Sequence, residues 1–262
     1  MLGTVIGDLA GSVPGTHEPP GRRLVPPFPP NAHFTHHTVC TVGAADALLS
    51  GADPARALRH WCRRHERESR RSPALHHWVN AADPRPCGSH DPGGAARVSP
   101  AGLLGRSIED TLGRALRVTA ITHDHPEGIR SALAVAAAIR WAREGLAADA
   151  LRARLTEHFA YDLTPRAEPP GPAPARPPGI GAAAQQAIAC ALDARGFEDA
   201  VGAAVAIGHG DAALAAIAGG IAEARFGIPP DLARAAWSHL PPELADVLVR
   251  LYDAADCPRP GG

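Results

Sequence analysis

The sequence has 262 residues, of which 45% are hydrophobic and 20% are charged, and its formal net charge is -1. This length and apolar content are enough for one well-buried core, and the near-zero charge provides no basic field to attract nucleic acid or an anionic membrane. Because the sequence contains no lysine, all 26 basic residues are arginine, which excludes a Schiff-base lysine and a lysine-containing phosphate loop.

The cysteines and the hydropathy pattern indicate a soluble, cytoplasmic protein. Neither a disulfide framework nor a zinc knuckle is predicted, because the cysteines are odd in number and lack the C-x-x-C spacing. The first residues include Asp8 and no basic segment, which is atypical of a signal peptide. The apolar run over 133–139 is far too short to cross a bilayer. The cysteines are Cys40, Cys62, Cys87, Cys190 and Cys257.

Apolar residues recur at helical spacing between glycine and proline breaks, and strand-like alternation is nearly absent. Asp53 and Pro54 supply an N-cap and a first-turn proline, which open a predicted helix that runs to about residue 68. Pro126 opens another helix, which Gly145 closes. Further helices are predicted at 38–49, 101–116, 147–159, 181–194, 198–207, 212–225 and 241–254.

Composition also predicts where two kinds of segment lie. The helix at 212–225 is dense in alanine and glycine and has almost no polar face, so we expect it to be central and buried. The stretches at 13–30 and 165–178 are rich in proline, which predicts extended surface excursions. The helices predicted on either side of the second stretch are too few for each side to form a hydrophobic core of its own. The prediction is therefore one domain over residues 1–262.

Four segments stand out beyond the helical pattern. Residues 5–12 read VIGDLAGS, and residues 33–49 read HFTHHTVCTVGAADALL. The third combines GGAARVSPAG at 93–102 with ITHDHPEGIRSALAVAAAI at 121–139, and the fourth spans 197–229. In this order and spacing the segments resemble the ADP-ribosylglycohydrolase family, whose members include hydrolases that remove ADP-ribose from modified proteins. The resemblance implies an all-α fold, a single-domain orthogonal multi-helix bundle around a cleft.

The resemblance also implies two magnesium ions, which the family holds with two acidic segments, Thr-Asp-Asp-Thr and Asp-x-Asp-Thr. The first falls on residues 35–38, which read THHT, so His36 and His37 replace both aspartates. The second falls on residues 210–213, which read GDAA, and Asp211 occupies the position at which the family tolerates other residues. The expected metal ligands are therefore largely replaced.

The family also tends to carry a glutamate after the GDxxGS motif. That position falls on Gly15. Glu18 supplies the carboxylate instead if this loop has a different conformation from the one typical of the family. The resemblance extends over about residues 1–235, and its scaffold motifs are kept, so the loss is concentrated on the metal ligands. Two neighbouring divalent ions need several carboxylates to offset their repulsion, which neutral imidazole does not provide. We therefore predict that the dinuclear magnesium site is absent.

The first functional hypothesis is retained ligand binding with magnesium-dependent hydrolysis lost or weakened. The ligand is an ADP-ribosyl or related nucleotide-sugar group, either free or on an ADP-ribosylated protein. The family resemblance assigns its binding to a loop whose backbone N–H groups approach phosphates, and glycines allow such an approach. The corresponding candidates are Gly93, Gly94, Ala95 and His123.

Two alternatives stay open. Histidine is a common transition-metal ligand, so the changed cleft could hold a single Fe, Zn or Mn ion. The candidate ligands for that ion are Thr35, His36, His37, His209 and Asp211. Alternatively, the protein is an active ADP-ribosyl glycosidic hydrolase with atypical acidic groups. The candidate catalytic residues are then Asp8 and Glu18, with Asp211 as a further acidic group.

Overall fold

The structure, a computed structural model, describes residues 1–13, 28, 31–69, 72–86, 88–89, 91–165, 181–208 and 212–261. These residues form fifteen α-helices and no β-strand, which confirms the predicted all-α class. None of the described helices is both long enough and apolar enough to cross a membrane. In chain order the helices are α1 (Leu2–Gly11), α2 (His36–Ser50), α3 (Pro54–Arg64), α4 (Glu66–Ser69), α5 (Pro73–Asn80), α6 (Gly93–Ala96), α7 (Ser99–Leu104), α8 (Ile108–Thr119), α9 (Pro126–Arg143), α10 (Ala148–Phe159), α11 (Ala182–Asp193), α12 (Phe197–Gly208), α13 (Ala212–Phe226), α14 (Pro230–Ser238) and α15 (Pro242–Ala254).

The predicted helix starts at Asp53 and Pro126 are confirmed. The Asp53 side chain accepts a hydrogen bond from the backbone N–H of Arg56, and Pro54 occupies the first turn of α3. Helix α9 begins at Pro126 in the same way, and the glycine that follows it, Gly145, has a φ of 85°. Glycine adopts this left-handed conformation without the steric cost of a Cβ atom, which explains why the helix ends there.

Two predicted helices are each divided in the structure, so their prediction as single elements was wrong. The helix expected from Asp53 to about residue 68 is α3 followed by α4, with the break at His65. The helix expected over 101–116 is α7 followed by α8, because the Ser107 side chain accepts a hydrogen bond from Asp110 N–H and caps a new helix. Helices α1, α5, α6 and α14 were not predicted.

The core is built around α13, as its small residues predicted. Every residue of α13 from Ala212 to Ala222 is buried, and the whole of α1 is buried against it. The two helices approach so closely that a Cβ atom on Gly7 would overlap the backbone carbonyl of Ala215. Most of the two proline-rich stretches lies outside the described residues.

Candidate active site

The buried carboxylate of Asp8 joins helix α1 to the beginning of helix α2. Its Oδ2 atom accepts hydrogen bonds from Thr35 N–H at 2.7 Å, from Thr38 N–H at 3.2 Å and from the Thr38 hydroxyl at 2.6 Å. Its Oδ1 atom accepts one from the Thr35 hydroxyl at 2.6 Å. Asp8 therefore satisfies backbone N–H groups that the first turn of a helix leaves without partners, and it fixes the position of α2.

A pocket lies beside the first turn of α2, between that turn, helix α5 and the residues that precede α6 and α9. It contains about 480 Å³ of empty space, part of which is open to solvent. Its lining comes from four separate parts of the chain, which meet only in the folded protein. The lining residues are His36, His37, Cys40, Ser72, Ala74, Leu75, Trp78, Ser89, Asp91, Gly93, Arg97, Thr122 and His123.

Helix α2 contributes two imidazoles and a thiol to the pocket. The rings of His36 and His37 have their centroids 4.0 Å apart, and His37 is buried while His36 is half-buried. One turn further along, the hydrogen bond with the Cys62 thiol, together with burial, raises the pKa of the Cys40 thiol well above its ordinary value. Since the thiolate is the reactive form of cysteine, Cys40 is a poor nucleophile at neutral pH.

Arg97 brings a buried positive charge to the pocket. Its side chain is held by the Val118 carbonyl, which accepts from Nε at 3.1 Å, and by the Thr119 carbonyl, which accepts from Nη2 at 3.4 Å. The same Nη2 atom donates to the Thr122 hydroxyl and lies 3.4 Å from Nδ1 of His123. Among the described residues none of these hydrogen-bond partners of the 2% exposed Arg97 is a carboxylate. The carboxylate of the described lining, Asp91, bonds to the other nitrogen of the His123 ring.

His123 lies in a hydrogen-bonded line that runs from Asp91 to Thr122. Its Nε2 atom is 3.1 Å from Oδ1 of Asp91, and its Nδ1 atom is 2.7 Å from the Thr122 hydroxyl. Asp91 also accepts hydrogen bonds from the Ser89 hydroxyl at 2.7 Å and from Gly93 N–H at 2.8 Å. Such a line orients the imidazole and can pass a proton along it.

The surroundings of Asp91 favour its ionised form. Burial raises the pKa of this carboxyl, but the hydrogen bonds and charge of His123 and the hydrogen bonds from Ser89 and Gly93 outweigh burial, so the pKa lies well below its ordinary value. Asp91 is therefore a hydrogen-bond acceptor at neutral pH and a poor general acid.

Helix α5 supplies the apolar wall of the pocket through Leu75 and Trp78. Trp78 is 4% exposed, and its indole N–H has no hydrogen-bond partner among the described residues. Trp78, Asp91 and Arg97 were not among the site residues predicted from the sequence. Arg97 lies within the segment at 93–102 that carried the family resemblance, and Asp91 lies two residues before it, which was the signal that could have identified them.

The structure separates the predicted site residues into three groups. His36, His37, Gly93 and His123 meet in the pocket. Asp8, Thr35, Gly94 and Ala95 lie outside its lining, and Gly94 packs so closely against the His123 ring that an added Cβ would be 3.1 Å from its Cγ and Cδ2 atoms. The remaining predicted residues, Glu18, His209 and Asp211, lie outside the described part of the chain.

The comparisons with known proteins identify the family and the fold. The family model described as ADP-ribosylglycohydrolase matches residues 1–258. The chain belongs to the ADP-ribosylglycohydrolase family. A solved structure titled "ADP-ribosylglycohydrolase-related protein complex" is similar to this chain, with 25% sequence identity, a TM-score of 0.72, and coverage of 97% of this chain and 95% of that one. A search of curated proteins found no significant match.

The described residues do not fit the pair of magnesium ions that the family resemblance implies. The Thr35 hydroxyl already donates to Asp8, and His36 and His37 offer nitrogen where magnesium prefers oxygen. Asp91 is the one carboxylate in the described lining, and it already accepts hydrogen bonds from neighbouring residues. Within the described ranges, no three His, Cys, Asp or Glu side chains are grouped so that they could hold a metal ion.

Proposed function

We propose that this member of the ADP-ribosylglycohydrolase family binds an ADP-ribosyl or related nucleotide-sugar ligand in the pocket, with magnesium-dependent hydrolysis lost or weakened. The observation that carries the proposal is the buried Arg97, which lines the pocket and whose guanidinium has no carboxylate hydrogen-bond partner among the described residues. A buried charge is costly unless it is paired, so the site favours an anionic group such as a diphosphate. We further propose that the protein acts in the cytoplasm, where a thiol such as that of Cys40 stays reduced.

The other lining groups suit the remaining parts of such a ligand. Leu75 and the Trp78 indole offer an apolar surface and one N–H donor, which suit a heterocyclic ring. His36 and His37 offer imidazole nitrogens that can hydrogen-bond to ribose hydroxyls. Pockets that combine an apolar wall with a few convergent polar groups are typical of small-molecule sites.

Weak or absent hydrolysis follows from the shortage of carboxylates. The family resemblance implies that metal ions orient the ribose hydroxyls and the attacking water, and imidazole at positions 36 and 37 does not replace the missing charge. Asp91 is held by His123, Ser89 and Gly93, so it is poorly placed to take over that role.

Calorimetric titration with ADP-ribose tests the binding proposal. We expect saturable binding that persists in a chelator and weakens by about tenfold, or about 1.4 kcal/mol, in a His36→Ala variant. His158→Ala is the matched control, because His158 lies half-exposed on α10 outside the pocket. Absence of binding, or equal affinities in the two variants, would overturn the proposal.

A second measurement addresses hydrolysis. ADP-ribosylated protein is incubated with the purified chain, with and without Mg²⁺, and the released ADP-ribose is quantified. We expect no release above the spontaneous rate. Release that Mg²⁺ stimulates would reject the loss of hydrolysis and favour the active hydrolase with atypical acidic groups.

A second candidate function is a single transition-metal centre, which the adjacent His36 and His37 rings favour. The test is the metal content of the purified protein after incubation with Fe²⁺, Zn²⁺ or Mn²⁺ and removal of excess ion. Stoichiometric metal that is lost in a His36→Ala/His37→Ala variant supports this function. Metal retained by the variant, or no bound metal, speaks against it.

A further inference from the structure

Helix α3 has one buried face and one strongly basic face. Its apolar side chains pack inwards, while Arg56, Arg59 and Arg63 follow one another at spacings of three and four residues and therefore share a face. This face borders an open groove that contains about 1270 Å³ of empty space, much of it continuous with solvent. The groove is lined by Asp53, Ala55, Arg56, Arg59, His60, Arg63, Arg64 and Pro84.

Neutral partners hold two of these arginines in place. Arg59 donates from Nε to the Val79 carbonyl at 3.0 Å and from Nη2 to the Ala81 carbonyl at 2.8 Å. Arg63 donates from Nη2 to the same Val79 carbonyl at 3.1 Å. These carbonyls lie at the end of α5, where a helix leaves acceptors unused and favours positive charge. The guanidinium groups are thus ordered without being neutralised.

Acidic side chains contribute little negative charge to the groove. Among the described residues of the lining, Asp53 is the one carboxylate, and it is engaged as the N-cap that accepts from Arg56 N–H at 2.7 Å. Arg64 faces Glu243, with Nε 3.4 Å from the nearest carboxylate oxygen. Within the described residues, the side chains of the other three groove arginines form no ion pair. The groove therefore concentrates positive charge on a protein whose net charge is -1.

We propose that this groove binds an acidic peptide segment of a partner protein. Arg63 lies seven positions after Arg56 on the helix, which is about 10 Å along the axis and matches about three residues of an extended peptide. Planar guanidinium groups pair with carboxylates through two parallel hydrogen bonds, so an extended segment with repeated acidic side chains complements this spacing. The described lining contains no Phe, Tyr or Trp on which nucleic-acid bases could stack, which favours a peptide over a single-stranded nucleic acid.

Fluorescence anisotropy with a labelled short polyglutamate peptide tests this surface on the full chain. We expect binding at low ionic strength that falls sharply at about 0.3 M salt, because exposed charge pairs are screened. An Arg56→Gln/Arg63→Gln variant should bind at least about tenfold more weakly. The single variant Arg56→Gln, whose side chain has no hydrogen bond in the described part of the chain, should show a smaller loss without a change in folding.

The matched control is Arg195→Gln/Arg234→Gln, which removes the same charge from two exposed arginines outside the groove. It should leave the peptide affinity within about twofold of the wild-type value. Failure of the peptide to bind, or equal weakening in both double variants, would overturn the proposal. Tighter binding of a single-stranded oligonucleotide through the same arginines would overturn the assignment of a peptide.

Discussion

Thr35 donates both its backbone N–H and its hydroxyl to the carboxylate of Asp8, at 2.7 and 2.6 Å. This pair joins the fully buried helix α1 to the residue that caps α2, immediately before the two histidines of the pocket. The position of His36 and His37 therefore depends on a carboxylate that does not itself line the pocket. We propose that Asp8 positions these histidines rather than acting on a ligand.

Replacing Asp8 with asparagine should destabilise the fold. Asparagine keeps one acceptor oxygen for the donors on Oδ2, but it places an NH₂ group against the Thr35 hydroxyl that donates to Oδ1 and removes the negative charge, so we expect a loss of about 3 kcal/mol in the free energy of unfolding. Urea denaturation measures this change. The control is Asp53→Asn, an exposed N-cap at which asparagine caps as well as aspartate, and it should change stability by less than about 0.5 kcal/mol. Unchanged stability in Asp8→Asn with loss of an activity would instead favour a catalytic role.

Close packing of α1 on α13 predicts opposite effects for two glycine substitutions. In Gly7→Ala the new methyl group would overlap the Ala215 carbonyl, so we expect a loss of about 2–3 kcal/mol. Gly113 is exposed within α8, and an added Cβ there meets nothing within 4 Å. Gly113→Ala should therefore stabilise the protein by about 0.5–1 kcal/mol. Thermal unfolding of both variants gives the comparison, and equal effects would mean that α1 is not packed as described.

The lowered pKa of Asp91 predicts a stability effect that depends on pH. Because the folded pKa lies below the unfolded value of about 3.9, the ionised carboxylate stabilises the folded protein above about pH 4. This contribution is lost as the pH falls through the folded pKa. Asp91→Asn should therefore lower the free energy of unfolding at about pH 6, and the difference from wild type should shrink below about pH 4.

Urea denaturation across this pH range checks the Asp91 prediction. Asp83→Asn serves as the control, because Asp83 forms an exposed ion pair with Arg85 at 2.7 Å and such pairs contribute little to stability. A difference between Asp91→Asn and wild type that stays constant from neutral to acidic pH would contradict the proposed role of ionisation.

Trp78 should report ligand binding. If ADP-ribose occupies the pocket, it contacts the indole, so its addition should change the intrinsic tryptophan fluorescence. We expect this change to vanish in Trp78→Phe and to persist in Trp237→Phe, whose indole N–H donates to the Pro260 carbonyl away from the pocket. A fluorescence change that survives in Trp78→Phe would indicate that the ligand binds elsewhere.

Much of the fold follows from local patterns in the sequence. The cap at Asp53, the proline at position 126 and the glycine at position 145 each act on neighbouring backbone, so their effects are visible without tertiary structure. The alanine and glycine content of 212–225 likewise predicted its burial. Local patterns were weaker for α5, which has only eight residues, and at Ser107, where a cap interrupts a continuous apolar pattern.

The helical class and the family could be predicted from the amino-acid sequence. By contrast, the contact of Asp8 with the first turn of α2, and the meeting of Trp78, Asp91 and Arg97 with His36 and His37 in one pocket, became visible in the folded structure. These features differ in how far apart along the chain the interacting residues lie. Capping and helix periodicity depend on residues within a turn or two of each other, whereas a pocket depends on which helix faces pack together across long stretches of chain.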